Sequence, residues 1–279
     1  MLPAGPSTVL NGKFEGKTLQ EVYLADKSIC GTKGKKYEFF PLLIKFIDAK
    51  RDLSIQVHPD DEYAMRVEGE YGKTEAWYIL DCEPDAELIL GFNRNVTVEE
   101  FKKAAQGDEM MSICNRVKVK KGDVFFIESG TMHAICKGIL LAEVQQNSNT
   151  TYRIYDYGRL GKDGKPRELH VDKAADVTKL CPPSIPDSSK REVEKFDNAS
   201  RSKLTSCDLF TMYELSVDGE YSSVCDEQSF VSLLCLDGSA EIECDGEKLM
   251  MKKGESVFIP ANKGKFTING NVKILETRL

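Results

Sequence analysis

Histidine is scarce in this chain, with three in 279 residues, at positions 58, 133 and 170, and there is a single tryptophan, Trp77. Any chemistry that uses imidazole has few residues to choose from. Long apolar runs are missing as well: the greasiest segment, Phe39 to Ile47, is short and broken by Lys45, so no membrane helix is expected. Basic residues are outnumbered, 38 Lys and Arg against 45 Asp and Glu, which gives a net charge of -7. That balance argues against neutralising many phosphates along a nucleic acid, but leaves room for a small anion held by a few local cations. Cysteine is present nine times without a CxxC pair, which fits neither a disulfide framework nor a thiolate zinc site. Reduced cysteines acting as small core residues are the expectation. The start, Met1 to Leu10, has neither basic residues nor a long apolar stretch. It does not read as a secretory leader, and a cytoplasmic protein is expected.

What the chain does contain is strand texture: short runs rich in Val, Ile, Phe and Tyr, punctuated by Gly, Asp and Asn. Phe39–Asp48, Asp52–His58, Ala76–Leu80, Glu87–Phe92, Asp123–Ile127 and Ile139–Val144 are typical. Helical signals are fewer. Thr97 followed three residues later by Glu100 is a capping-box signature for a helix through Ala105, and Asp60–Val67, opened by Pro59 and acidic residues, reads as a shorter one. Between 180 and 203 prolines, serines and mixed charge replace hydrophobic alternation, which reads as a linker.

A weak internal repeat suggests the architecture. Lys120-Lys121-Gly122-Asp123-Val124-Phe125-Phe126-Ile127 is echoed by Lys252-Lys253-Gly254-Glu255-Ser256-Val257-Phe258-Ile259. Two similar all-β units with a few short helices follow, of the cupin jelly-roll type, spanning 1–179 and 204–279. In the same alignment His133 falls opposite Lys265, so the second unit is expected to lack metal ligands.

Period-two alternation puts Gln56 and His58 on one strand face, and Lys73 and Glu75 on another. With His133, which follows a strand and a tight loop, a barrel interior would gather Gln56, His58, Glu75 and His133 into an N/O set suited to a divalent metal, zinc above all. The plain alternatives are a hydrogen-bonded core histidine, a capping amide at Gln56 and a solvated turn lysine at Lys73. His170 reads as an ordinary exposed residue. Arg153 lies in a segment dense in Gln, Asn, Thr and Tyr, where a guanidinium at the mouth of the cavity would suit a phosphate or an oxyanion.

Four strings taken together, Leu53-Ser54-Ile55-Gln56-Val57-His58-Pro59, Gly72-Lys73-Thr74-Glu75, Gly130-Thr131-Met132-His133-Ala134-Ile135 and Thr151-Tyr152-Arg153-Ile154-Tyr155-Asp156, resemble type I mannose-6-phosphate isomerases in their short bacterial form. The resemblance implies a zinc-dependent two-cupin enzyme with one metal per chain, acting on a sugar phosphate. It implies His58, Glu75 and His133 as zinc ligands, Gln56 as an additional ligand and Arg153 as the active-site arginine. Lys73, with Lys45 and Ser54, would handle substrate or protons. Relatives begin with a further stretch bearing a Trp-Gly segment, whereas here Met1–Leu10 runs almost directly into Asn11-Gly12-Lys13. For the base, three candidates stay open: Lys73, Glu143 if its strand face points inward, and a metal-bound water. A non-catalytic sugar-phosphate binder on the same cupin pair, or a redox-metal cupin oxygenase, are the rival classes.

Overall fold

The computed structural model describes residues 7–107, 109–161, 163–185 and 191–279. The chain divides into two compact units, and the division differs from the one expected. The described residues of Leu42–Ser188 form one unit, while those of Met1–Pro41 group with those of Ser189–Leu279.

The described residues of the unit 42–188 form nine strands: β1 (Leu42–Ala49), β2 (Ile55–Val57), β3 (Glu75–Cys82), β4 (Glu87–Phe92), β5 (Cys114–Lys118), β6 (Val124–Ile127), β7 (His133–Ile135), β8 (Ile139–Gln146) and β9 (Tyr152–Tyr155). They make two antiparallel sheets, ordered β1-β8-β3-β6 and β5-β4-β7-β2-β9. Trp77, Ile79, Phe125, Ile127, Ile139 and Leu141 of the first sheet share one core with Leu88, Leu90 and Ile135 of the second, so the sheets pack face to face. The expected strands are all present, with ends shifted by up to a few residues.

The interior of this sandwich is graded from apolar to polar. Inward positions along β8 read Ile139, Leu141, Glu143, Gln145, and their partners across β1 read Ala49, Ile47, Lys45, Leu43. On β3, Trp77 stands opposite Glu143 and Glu75 opposite Gln145. One end of the barrel is therefore closed with aliphatic side chains, and the other carries charge.

The outer face of the five-stranded sheet is covered by helices. Ile55, Val57, Ile89, Ala134 and Ile154 pack there against Phe101, Ala104 and Ala105. The α-helices among the described residues are α1 (Leu19–Ala25), α2 (Gly31–Gly34), α3 (Asp61–Val67), α4 (Val98–Gln106), α5 (Met110–Ile113) and α6 (Val171–Val177). α3 and α4 match the two helical readings. In α4 the capping box is half formed: Thr97 Oγ1 accepts from Glu100 N–H at 3.2 Å, but the Glu100 carboxylate turns to Arg94 instead.

In the other unit, β10 (Val193–Phe196), β11 (Ala199–Ser206), β12 (Thr211–Cys225), β13 (Val231–Cys244), β14 (Glu247–Lys252), β15 (Ser256–Ile259) and β16 (Gly264–Arg278) form one seven-stranded sheet. β10 and β11 lie where a linker over 180–203 was expected. Every residue of β10 is exposed, so an edge strand with no buried face shows no alternation to read. The N-terminal segment joins this unit through backbone bonds from Thr32 N–H to Glu227 O (2.9 Å) and Ala261 N–H to Ile29 O (2.9 Å), and through Phe40 packed on Phe230.

The sequence repeat is a structural one. Gly122 and Gly254 occupy the same left-handed backbone region, φ +88° and +85°. Asp123 and Glu255 accept from the backbone of Lys120 and Lys252, each at 2.9 Å. Gly122 and Gly254 N–H donate to Ile79 and Cys235, 2.8 and 3.0 Å. Lys265, the counterpart of His133, is exposed. All nine cysteines are free, and five of them are buried. No helix among the described residues is long and apolar enough to cross a membrane.

Phe101 is fully buried where α4 meets the sheet. Phe101→Ala is expected to destabilise the protein by about 3–5 kcal/mol, read as a lowered urea midpoint; an unchanged midpoint would show that α4 does not support the sheet.

Candidate metal centre

Sheet register assembles the site. On the inner face of the five-stranded sheet, Leu90, His133, Gln56 and Arg153 stand directly opposite one another across β4, β7, β2 and β9. Residues paired in this way point to the same side, and a slip of one residue would turn the whole row outward. His58 follows Gln56 by two, just beyond β2, and faces the same way. From the opposite sheet, Glu75 and Glu143 project inward.

His58, Glu75 and His133 are each 1% exposed, and one candidate ligand atom from each lies within 4.8 Å of the others. His133 Nε2 is 3.3 Å and His58 Nε2 3.7 Å from the Glu75 carboxylate. Both imidazoles are oriented from behind. His58 Nδ1 is 2.9 Å from Thr150 O, and His133 Nδ1 is 2.9 Å from Thr131 O. A carbonyl only accepts, so each Nδ1 carries the proton and each Nε2 presents a lone pair to the centre. Trp77 packs edge-on against the His133 ring at 5.3 Å.

The centre is short of partners. His58 Nε2 and both Glu75 oxygens are buried without a hydrogen bond among the described residues. A desolvated donor set of this kind is costly unless something fills it, and two imidazole nitrogens with a carboxylate suit a divalent cation.

The electrostatics agree. Burial, reinforced by the nearby Glu143, pushes Glu75 up to about 7. Burial pushes His133 down to about 4 and holds His58 well below the usual range, with Lys73 adding to both. For Glu143 burial acts upward but is outweighed by the charges of Lys45 and Lys73 and by hydrogen bonds from Lys45 and Trp77, so its carboxyl is held low. Glu143 is thus an anion at neutral pH, ion-paired with Lys45 and bonded by Trp77 Nε1 at 3.1 Å.

Each expected site residue has a definite place. Lys73 is buried rather than a solvated turn residue, with its ammonium 3.3 Å from Glu75. Lys45 bridges Glu143 and Gln145. Ser54 is buried and approaches the Gln56 carbonyl at 3.5 Å. Gln56 turns its amide nitrogen to His133 Nε2, 3.3 Å away. To serve as a ligand through oxygen, that amide has to rotate. Arg153 donates from Nη1 to Glu168 O at 2.8 Å, and its Nε is buried without a partner among the described residues. His170 departs from expectation: it is half-buried, and its ring accepts from Arg153 N–H at 3.1 Å because the segment after β9 folds back on that strand. Trp77 and Gln145 went unnoticed in the sequence, although both share the inward alternation of Glu75 and Glu143.

Known proteins similar to this chain point to one family. The family model "Phosphomannose isomerase type I, catalytic domain" matches residues 2–93, and "Mannose-6-phosphate isomerase, cupin domain" matches 200–278. A probable mannose-6-phosphate isomerase of Bacillus subtilis, GmuF, is 41% identical over 97% of this chain and 84% of its own length. This chain belongs to the type I mannose-6-phosphate isomerase family. A mannose-6-phosphate isomerase of Streptococcus mutans is 35% identical over 98% of this chain and 84% of its own. The crystal structure of mannose 6-phosphate isomerase from Bacillus subtilis superposes with a TM-score of 0.90 at 37% identity, covering 99% of this chain and 87% of that one. The fold class expected from the repeat, all-β and cupin, is the one found.

A divalent cation has to displace the proton of Glu75, whereas His58 and His133 are already neutral near neutral pH. Metal affinity is therefore expected to be flat above pH about 7 and to weaken about tenfold per unit below it, a one-proton slope. Competition against a chromophoric chelator between pH about 5.5 and 8 measures it; a slope of two protons would mean that a histidine also titrates in that range.

Proposed function

We propose that the protein is a zinc-dependent aldose–ketose isomerase that interconverts mannose 6-phosphate and fructose 6-phosphate through an enediol. The observation that carries the reading is the buried His58–Glu75–His133 set, in which His58 Nε2 and both Glu75 oxygens lack a hydrogen bond among the described residues, with the anionic Glu143 in the same interior of a chain of this family.

His58, Glu75 and His133 would hold the metal, joined by Gln56 once its amide turns. Bound there, zinc supplies Lewis-acid stabilisation of negative charge on the sugar oxygens. Glu143 takes the proton from C2 of the open-chain aldose and returns it to C1. Its charge is held in place by Lys45 and Trp77, so it accepts a proton without first losing one. Lys73, an ammonium paired with Glu75, donates a proton to O1 as charge develops there and takes one back from the O2 hydroxyl as the ketone forms. Arg153 and Lys45 supply the local positive charge for the phosphate, against an overall charge of -7. Ser54 acts through Gln56. Proton transfer by a side-chain carboxylate needs neither a redox metal nor an oxidant.

Purified, zinc-loaded protein is expected to convert mannose 6-phosphate to fructose 6-phosphate in a coupled assay, to lose turnover on chelation and to regain it with zinc. Folded, zinc-containing protein that binds the sugar phosphate without turnover would replace the isomerase reading with that of a binding protein. Glu143→Gln is expected to keep its zinc and lose at least about 10²-fold in kcat. Near-normal turnover in that variant would move proton transfer to Lys73.

A further inference from the structure

Glu75 and Lys73 reach the centre on a short segment ahead of β3 whose backbone is held at each step. Tyr71 O accepts from Ser148 Oγ at 2.7 Å, and Gly72 N–H donates to Asp61 Oδ1 at 2.8 Å. Lys73 N–H donates to Pro59 O at 3.0 Å. Thr74 N–H donates to Gln146 Oε1 at 2.8 Å, and Thr74 O accepts from Gln146 N–H at 3.1 Å. Gly72 is pressed against the backbone of Asp60 and Asp61 so closely that a Cβ there would lie 2.3 Å from Asp60 C.

Two buried side chains carry most of this. Gln146, 6% exposed, uses both ends of its amide: Oε1 holds Thr74, next to Glu75, and Nε2 donates at 3.0 Å to Asp61, three residues beyond His58. Ser148, 5% exposed, donates to Tyr71 O and accepts from Thr150 N–H at 3.1 Å. Thr150 O is the carbonyl that orients the His58 ring. Both residues therefore tie the strand-borne carboxylate to the loop-borne histidine.

We infer that Gln146 and Ser148 are positioning residues of the metal centre, fixing the separation of Glu75 and His58 and the orientation of the His58 imidazole without touching the metal. The inference rests on the metal reading given above. Groups behind metal ligands of this kind carry a large share of affinity, because an unanchored ligand pays orientational entropy on binding.

The test is zinc affinity, measured by chelator competition beside the melting temperature of the metal-free protein. Gln146→Glu sets a carboxylate against Asp61, and Ser148→Ala frees Tyr71 and Thr150. Each is expected to weaken zinc binding by about 10- to 100-fold. Adding Asp61→Asn to Gln146→Glu restores a donor opposite the new carboxylate and should return affinity to within a few fold of wild type. Phe101→Ala, destabilising but on the far side of the sheet, should leave zinc affinity unchanged. Single variants that bind zinc as wild type does, or that weaken only as Phe101→Ala does, overturn the positioning role. If Gln146→Glu does not fold, Ser148→Ala decides alone. Wild-type protein that binds no zinc overturns the metal reading, and this inference with it.

Discussion

Three polar groups are held together in the interior of a β-sandwich with too few partners: His58 Nε2, which has none among the described residues, His133 Nε2, met by the Gln56 amide, and the Glu75 carboxylate, faced by the Lys73 ammonium. Burying such groups is unfavourable, and they would drift apart or seek water unless the surrounding chain prevented it. Much of the unit 42–188 can be understood as the means of preventing it. The register of β7, β2 and β9 places one row, backbone carbonyls fix two imidazole rings, and buried amides and hydroxyls hold the segment that brings the carboxylate.

The apolar half of the same interior supports this arrangement. Leu141, Ile79, Leu88 and Ile135 close one end of the sandwich, and α4 and α6 cover the outside of the five-stranded sheet. Rigid packing on both sides of that sheet means that a side chain leaving it has a fixed origin and direction. The charged end is then a precise consequence of where the strands change character, Leu141 to Glu143 on β8 and Ile79 to Trp77 to Glu75 on β3. Trp77 belongs to both halves: its ring packs in the core and against His133, while its N–H holds Glu143.

The two units show what a shared turn does and does not carry with it. Lys120–Ile127 and Lys252–Ile259 form the same glycine turn with the same acidic side chain closing it and the same pair of backbone bonds to a neighbouring strand. That turn is local, and four or five residues specify it. A metal centre needs groups from strands far apart in the chain, and nothing in the turn supplies them. At the position of His133 the second unit has an exposed lysine.

Local and periodic features were legible in the sequence. Alternation placed Gln56 beside His58 and Lys73 beside Glu75, the N-cap of α4 and the acidic start of α3 were readable, and the repeat gave the cupin class. These depend on residues a few positions apart, so the order of side chains alone decides them. Only the tertiary structure decided that Glu143 stands across from both Lys45 and Trp77, that His170 braces Arg153, that Gln56 turns its nitrogen to His133, and that residues 7–41 belong with the C-terminal sheet. Each of these depends on pairing between segments tens to hundreds of residues apart, and on burial that no local pattern records. An edge strand such as β10, exposed on both faces, leaves no pattern at all, because the alternation that reveals a strand is created by the core it packs against.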